Sequence, residues 1–147
     1  MIRGKVRTEK GKREDGGSPA GKAKDLALLC VNAALERKAK DVVLLKVREL
    51  SSFADYFIIC SGTSDRQVRS IADHIEERLK KEGVLPLGIE GRQGGQWILM
   101  DYGEVIFHVF YEATREFYDI ERLWAEAPSL SVEPSVQKID ALGEELV

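Results

Sequence analysis

Long apolar runs are absent from this 147-residue chain. No stretch approaches the ~18 consecutive apolar residues of a membrane-spanning helix, and no short apolar region follows Met1 as in a secretory leader. Membrane spanning and secretion are therefore not expected. Cysteine is scarce: Cys30 and Cys60 lie far apart, in segments that read as helix and strand. They form no disulfide framework, and a reducing cytoplasm suits two free buried thiols. Histidine is equally scarce, with His74 and His108 only. Two histidines and two distant cysteines lack metal-ligand spacing, which excludes a recognisable zinc site. Also missing are the G-x-G-x-x-G and G-x-x-x-x-G-K-[ST] phosphate loops and the G-x-S-x-G nucleophile elbow. Neither internal repeats nor a low-complexity core are found.

What is present is ordinary in amount and uneven in distribution. Hydrophobic residues make up 44% and charged residues 32%, enough for one globular domain with its own core. The net charge of −3 hides an asymmetry. Residues 1–24 carry +5 and residues 25–147 carry −8. A net acidic domain is a poor nucleic-acid binder, because phosphate contacts need basic surface. It is better matched to a basic protein. The basic start has the composition of a solvated, disordered extension, with weak nucleic-acid contact as its alternative role.

Periodicity divides the chain into a basic extension (1–21), an α/β domain (22–126) and an acidic, proline-punctuated tail (127–147). In that tail Val136, Ile139, Leu142 and Leu146 are spaced for a marginal amphipathic turn or two. Ala23, Leu26, Ala27, Cys30, Ala33 and Ala34 give one narrow stripe on a helix from about Lys22 to Lys40. Strands are expected over Val42–Leu50, with Val43, Leu45 and Val47 on one face, and over Tyr56–Cys60. Ser64 and Gln67 then have the spacing of a capping box, opening a helix that buries Val68, Ile71, Ala72, Ile75 and Leu79 and stops at Gly83. Val84–Glu90 reads as a strand that Pro86 confines to an edge or a bulge. Gly91–Gly95 reads as a flexible connection. A last helix, Thr114–Trp124, should place Phe117, Ile120, Leu123 and Trp124 on its apolar side. The order suits a mixed five-stranded sheet with flanking helices.

The segment Gln96–Tyr111 departs from the usual pattern. It reads as a hairpin turning at Tyr102-Gly103-Glu104 whose strands are apolar on both faces. Trp97, Leu99 and Asp101 alternate with Ile98, Met100 and Tyr102. A hairpin with one wet face would alternate polar and apolar residues. The second face must therefore meet a helix layer or another protein. An aromatic, an aliphatic and a carboxylate on one strand face suit protein contact.

Catalytic readings find less support. Ser61-Gly62-Thr63-Ser64 at a strand-to-helix junction offers backbone N–H groups to a phosphate, but a tight turn with a helix cap explains it more simply. The same junction resembles those of nucleotidyltransferases, which need paired carboxylates to hold a metal ion. Here Asp55 and Asp101 are single acids on separate elements. His108, amid Phe107, Val109 and Phe110, reads as a hydrogen-bonded core residue.

Three blocks together resemble the ribosomal silencing factor (Iojap-like) family. The first is Ala54-Asp55-Tyr56-Phe57-Ile58-Ile59 with Ser61-Gly62-Thr63-Ser64-Asp65-Arg66-Gln67-Val68. The second is Glu90-Gly91 followed by Trp97 to Ile106, and the third runs from Arg115 through Phe117-Tyr118 to Glu121-Arg122-Leu123-Trp124. The resemblance covers roughly residues 22–126. It implies a non-enzymatic protein that needs no cofactor or metal, with a nucleotidyltransferase-like fold lacking the catalytic acids. It implies binding to the large ribosomal subunit through the basic ribosomal protein fourteen, which blocks joining of the small subunit and represses translation. Homodimers of the free protein are implied as well. The family's contact strand falls on Trp97, Leu99, Met100, Asp101 and Tyr102. The basic start departs from the compact family pattern and would add at most weak ribosomal RNA contact. The alternative is a nucleotidyltransferase-like enzyme or nucleotide-binding module.

Overall fold

A computed structural model describes residues 19–132 of the chain. Of the disordered extension expected over residues 1–21, residues 1–18 lie outside the described residues, as does the amphipathic turn near Val136–Leu146, while residues 19–21 are helical. Within them, α1 (Pro19–Glu36), β1 (Lys40–Lys46), β2 (Tyr56–Gly62), α2 (Asp65–Lys81) and β3 (Gly88–Glu90) are followed by β4 (Trp97–Asp101) and β5 (Val105–Tyr111). Then come α3 (Glu112–Tyr118), the single turn α4 (Ile120–Leu123) and β6 (Ser129–Val132).

The strands form one mixed sheet in the order β3-β4-β5-β2-β1-β6. β2 and β5 are parallel at its centre, and every other pairing is antiparallel. The sheet thus has six strands where five are expected. The extra one lies beyond residue 126: Leu130 pairs with Leu44 and Val132 with Val42. Four residues carry too little pattern to be read as a strand without the β1 edge they cover. β3 runs in the same direction as β2, with two strands between them, so β2–α2–β3 is a crossover connection.

Local chemistry sets the element ends. α1 stops at Glu36, short of Lys40, because Lys38 takes a left-handed conformation (φ 60°) and Ala39 N–H returns to the carbonyl of Ala34. Ser64 caps α2, its Oγ accepting from Gln67 N–H at 3.1 Å. The Gln67 side chain does not close the box on Ser64. Its Oε1 accepts from Thr63 N–H at 2.7 Å, and its Nε2 donates to the carbonyl of Lys38 at 3.2 Å, tying α2 to the end of α1. β3 is an edge strand, shortened to three residues because Val84–Pro86 runs outside the ladder, although Leu87 N–H still donates to the Asp101 carbonyl at 2.7 Å.

Helices α1 and α2 pack on one face of the sheet, over Val42, Leu44, Ile58, Cys60, Ile98, Met100, Val105, Phe107 and Val109. The opposite face holds a smaller apolar cluster of Leu45, Val47, Phe57, Ile59, Phe110, Ile120 and Ala127. Val43, Trp97, Ile106 and Trp124 lie half-buried at its margin. The hairpin is therefore apolar on both sides for two reasons: one face is core under two helices, and the other is only partly roofed by α3 and α4.

Candidate functional site: the half-roofed face of the hairpin

β4 pairs with β5 in a register that sets Trp97 opposite Phe110, Leu99 opposite His108 and Asp101 opposite Ile106. All six side chains share the second face, as period-two alternation requires. The Trp97 ring stacks on Phe110 (centroids 4.8 Å apart) and meets Tyr118 of α3 at 5.0 Å. Its indole N–H donates to His108 Nδ1 at 3.1 Å. Trp97, Leu99 and Asp101 are each half-buried. One carboxylate oxygen of Asp101 accepts from Gly103 N–H at 2.9 Å and so helps shape the hairpin turn. The carboxylate thus has a structural contact as well as a surface position.

Met100 and Tyr102, placed in the contact strand by resemblance, face the other way. Met100 is fully buried, and Tyr102 is nearly so, in the core under α1 and α2. Strict alternation sends every second residue along this strand to the helix-covered face. Of the five residues that the resemblance places on the contact strand, Trp97, Leu99 and Asp101 lie on the half-roofed face.

Two expectations on the surrounding elements change. Gly91–Gly95 is not a loose connection. Arg92 pairs with Asp73 and Glu76 of α2, and Arg69 donates to the Gln93 carbonyl. Gly91, at φ 84°, lies so close to the carbonyl of Trp97 that a Cβ there would collide with backbone. The loop thus clamps the start of β4 against α2. The last helix is split by Asp119, which adopts a left-handed conformation (φ 46°). A single helical stripe cannot run through that break. Ile120 turns inward, while Phe117 (80% exposed) and Leu123 (78%) point outward.

Arg115 fixes α3 in place. Its Nη1 donates to the Asp41 carbonyl (2.8 Å) and to Ser61 Oγ (2.9 Å), and its Nε and Nη2 engage Glu121 at 3.3 and 2.8 Å. Neither this role nor the packing of Tyr118 on Trp97 is readable from spacing. The only hint is that both residues fall in the third block of the family resemblance.

Titratable groups here are set for structure. Burial alone pushes the His108 pKa down to about 4, so the ring is neutral. Burial pushes Cys60 up to about 12 against the partial opposition of Arg115, and raises Cys30 further. Both thiols are buried and protonated, the opposite of a reactive cysteine. Asp55 is raised by burial and lies 3.8 Å from Arg48. Among the described residues no three His, Cys, Asp or Glu side chains cluster to hold a metal ion, and no helix is long and apolar enough to cross a membrane. The Ser61–Ser64 turn is closed on itself: Thr63 N–H goes to Gln67, and Gln67 N–H to Ser64. Gly62 is accounted for by the helix it abuts, since a Cβ would come within 3.0 Å of the Val68 side chain.

With this geometry in view, the family model described as "Ribosomal silencing factor during starvation" matches residues 20–145. The chain belongs to this family. The family is one of non-enzymatic ribosome-binding factors. Among its members, ribosomal silencing factor RsfS of Halalkalibacterium halodurans is 38% identical over 109 residues, covering 74% of this chain and 93% of its own. Protein Iojap of Zea mays, a chloroplast protein, is 28% identical over 112 residues, covering 76% of this chain and 49% of its own. A crystal structure of a Chromobacterium violaceum protein superposes with a TM-score of 0.69 at 34% identity, covering 82% of this chain and 96% of that one. The chain therefore shares its α/β fold with that protein.

Proposed function

We propose that this ribosomal silencing factor acts by steric occlusion. It docks the half-roofed face of its hairpin on ribosomal protein fourteen of the large subunit. There it blocks the small subunit from joining and so represses translation in the cytoplasm. The observation that carries the reading is Trp97. This large aromatic is held half-exposed on a sheet face, beside Leu99 and the Asp101 carboxylate. Aromatic anchors flanked by charge have the composition of interface hot spots. Asp101 supplies charge complementarity to a basic protein, and the chain's net charge of −3 favours the same encounter. Met100 and Tyr102 support the contact strand from beneath. The basic start, +3 over residues 1–18, adds weak contact with ribosomal RNA. No turnover, metal or cofactor enters this scheme.

Trp97→Ala is expected to remain folded and to lose co-sedimentation with purified large subunits, a cost of about 2 kcal/mol or more for a central anchor. Wild-type binding by a folded Trp97→Ala protein would refute the assignment. A second reading is that the same face pairs two copies of the free chain. It draws on the exposed Phe117 and Leu123 beside the hairpin. Light scattering of the free protein and of the Trp97 variant separates self-association from subunit binding. The nucleotidyltransferase-like alternative finds its phosphate turn already hydrogen-bonded to Gln67, and saturable calorimetric binding of a nucleoside triphosphate with magnesium would revive it.

A further inference from the structure

His108 is 5% exposed in the middle of β5. Its ring is surrounded by other rings: Phe57 at 5.2 Å, Trp97 at 6.0 Å and Phe110 at 6.2 Å between centroids. A phenylalanine would suit such surroundings without any polar atom to satisfy. The histidine instead leaves its Nε2 buried with no hydrogen-bond partner, an arrangement that costs stability. In return its Nδ1 accepts the indole N–H of Trp97 at 3.1 Å. An indole nitrogen only donates. Nδ1 must therefore be unprotonated, and the neutral ring carries its proton on Nε2.

The ring contacts of Trp97 are apolar and do not fix the position of its N–H as this bond does. Stacking on Phe110 and packing against Tyr118 restrain the plane of the indole. Turning the indole over by about 180° at χ2 keeps it near that plane while moving its N–H to the opposite edge, and such terminal torsions are broad and roughly two-fold. The turn also carries the six-membered ring to the other side, so its packing on Phe110 and Tyr118 biases the choice, and an acceptor at a fixed point adds a directional preference for one orientation. We propose that His108 is a positioning residue of the docking face: its Nδ1 selects one orientation of the Trp97 indole, so that the anchor is set before a partner arrives. An anchor ordered in advance spares the partner the loss of freedom that immobilising a large side chain entails. The proposal rests on the reading of Trp97 as an anchor, but the positioning itself is a property of the free protein.

The test uses the full-length, ¹⁵N-labelled protein. His108 should show a pyridine-type Nδ1 and a protonated Nε2. Trp97 should give one indole N–H signal that exchanges slowly with water. His108→Phe should fold, move that signal and speed its exchange, and weaken large-subunit binding by a factor of about 3 to 10. In His108→Asn the carboxamide oxygen stands near the place of Nδ1, and both the signal and the affinity should be largely restored. A proton on Nδ1 in the wild type overturns the proposal. So does a folded His108→Phe protein with wild-type affinity when Trp97→Ala has lost it. If Trp97→Ala itself binds as the wild type does, the docking reading falls, whatever the tautomer of His108.

Discussion

A single buried histidine makes this protein's stability depend on pH in a definite direction. The His108 pKa is about 4 in the folded chain and 6.5 for the unperturbed group. Between those values the unfolded chain binds more protons, so stability rises with pH. The contribution is fully present above pH 6.5, is lost as pH falls toward 4, and changes no further below that. The whole span corresponds to about 3 kcal/mol. Thermal unfolding between pH 7 and pH 4 should therefore show a steeper loss for the wild type than for His108→Phe. Equal slopes would mean that the histidine is not buried in its neutral form. Trp97, Leu99, Asp101 and His108 are each legible as strand residues from two short apolar runs joined by a tight turn. The bond between Trp97 and His108 is not, because it depends on the hairpin register that brings residues eleven apart onto one face.

At the scale of elements, α3 and its continuation decide how much of the second sheet face stays open. Arg115, with its side chain only 12% exposed, joins α3 to the carbonyl of Asp41, to Ser61 and to Glu121. Arg115→Met keeps the stem and removes the guanidinium. It should cost about 1–3 kcal/mol, since polar partners are left without their donor. Amide exchange should quicken over residues 112–123 while α2 and the central strands keep their protection. Uniform quickening over the whole domain would mean that α3 is not held separately. Strong helical periodicity made α2 readable almost to the residue, from the Ser64 cap to the stop before Gly83. The last helix is not legible in the same way, because residue spacing carries no sign of the break at Asp119. Loop 91–95 looks free in sequence because its clamp is made by residues of α2 some twenty positions earlier.

For the molecule as a whole, charge is divided between a basic start and an acidic remainder. If the start touches ribosomal RNA and the domain meets a basic protein, both contacts weaken as salt rises, but in different measure. Removing residues 1–18 should leave large-subunit binding in place and flatten its dependence on salt concentration. A Trp97→Ala change in the shortened chain should still abolish binding. If the shortened chain has the same salt slope as the full one, the tail makes no phosphate contact. Both proposed contacts concern surfaces, and neither alters the sheet that carries them.

The sequence alone determined the α/β class, the central strand–helix junction, the capped α2 helix and the unusual apolarity of the hairpin. These follow from short-range rules: periods of two and 3.6, capping chemistry, and the placement of glycine and proline. Only the tertiary structure decided which hairpin face is roofed by two helices and which is half open. It also added the sixth strand and buried Met100 and Tyr102 while leaving Trp97, Leu99 and Asp101 at the surface. The physical reason is that alternation assigns residues to two faces but does not say which face is covered. Coverage depends on where distant helices pack, and that is settled by long-range burial of the whole apolar surface.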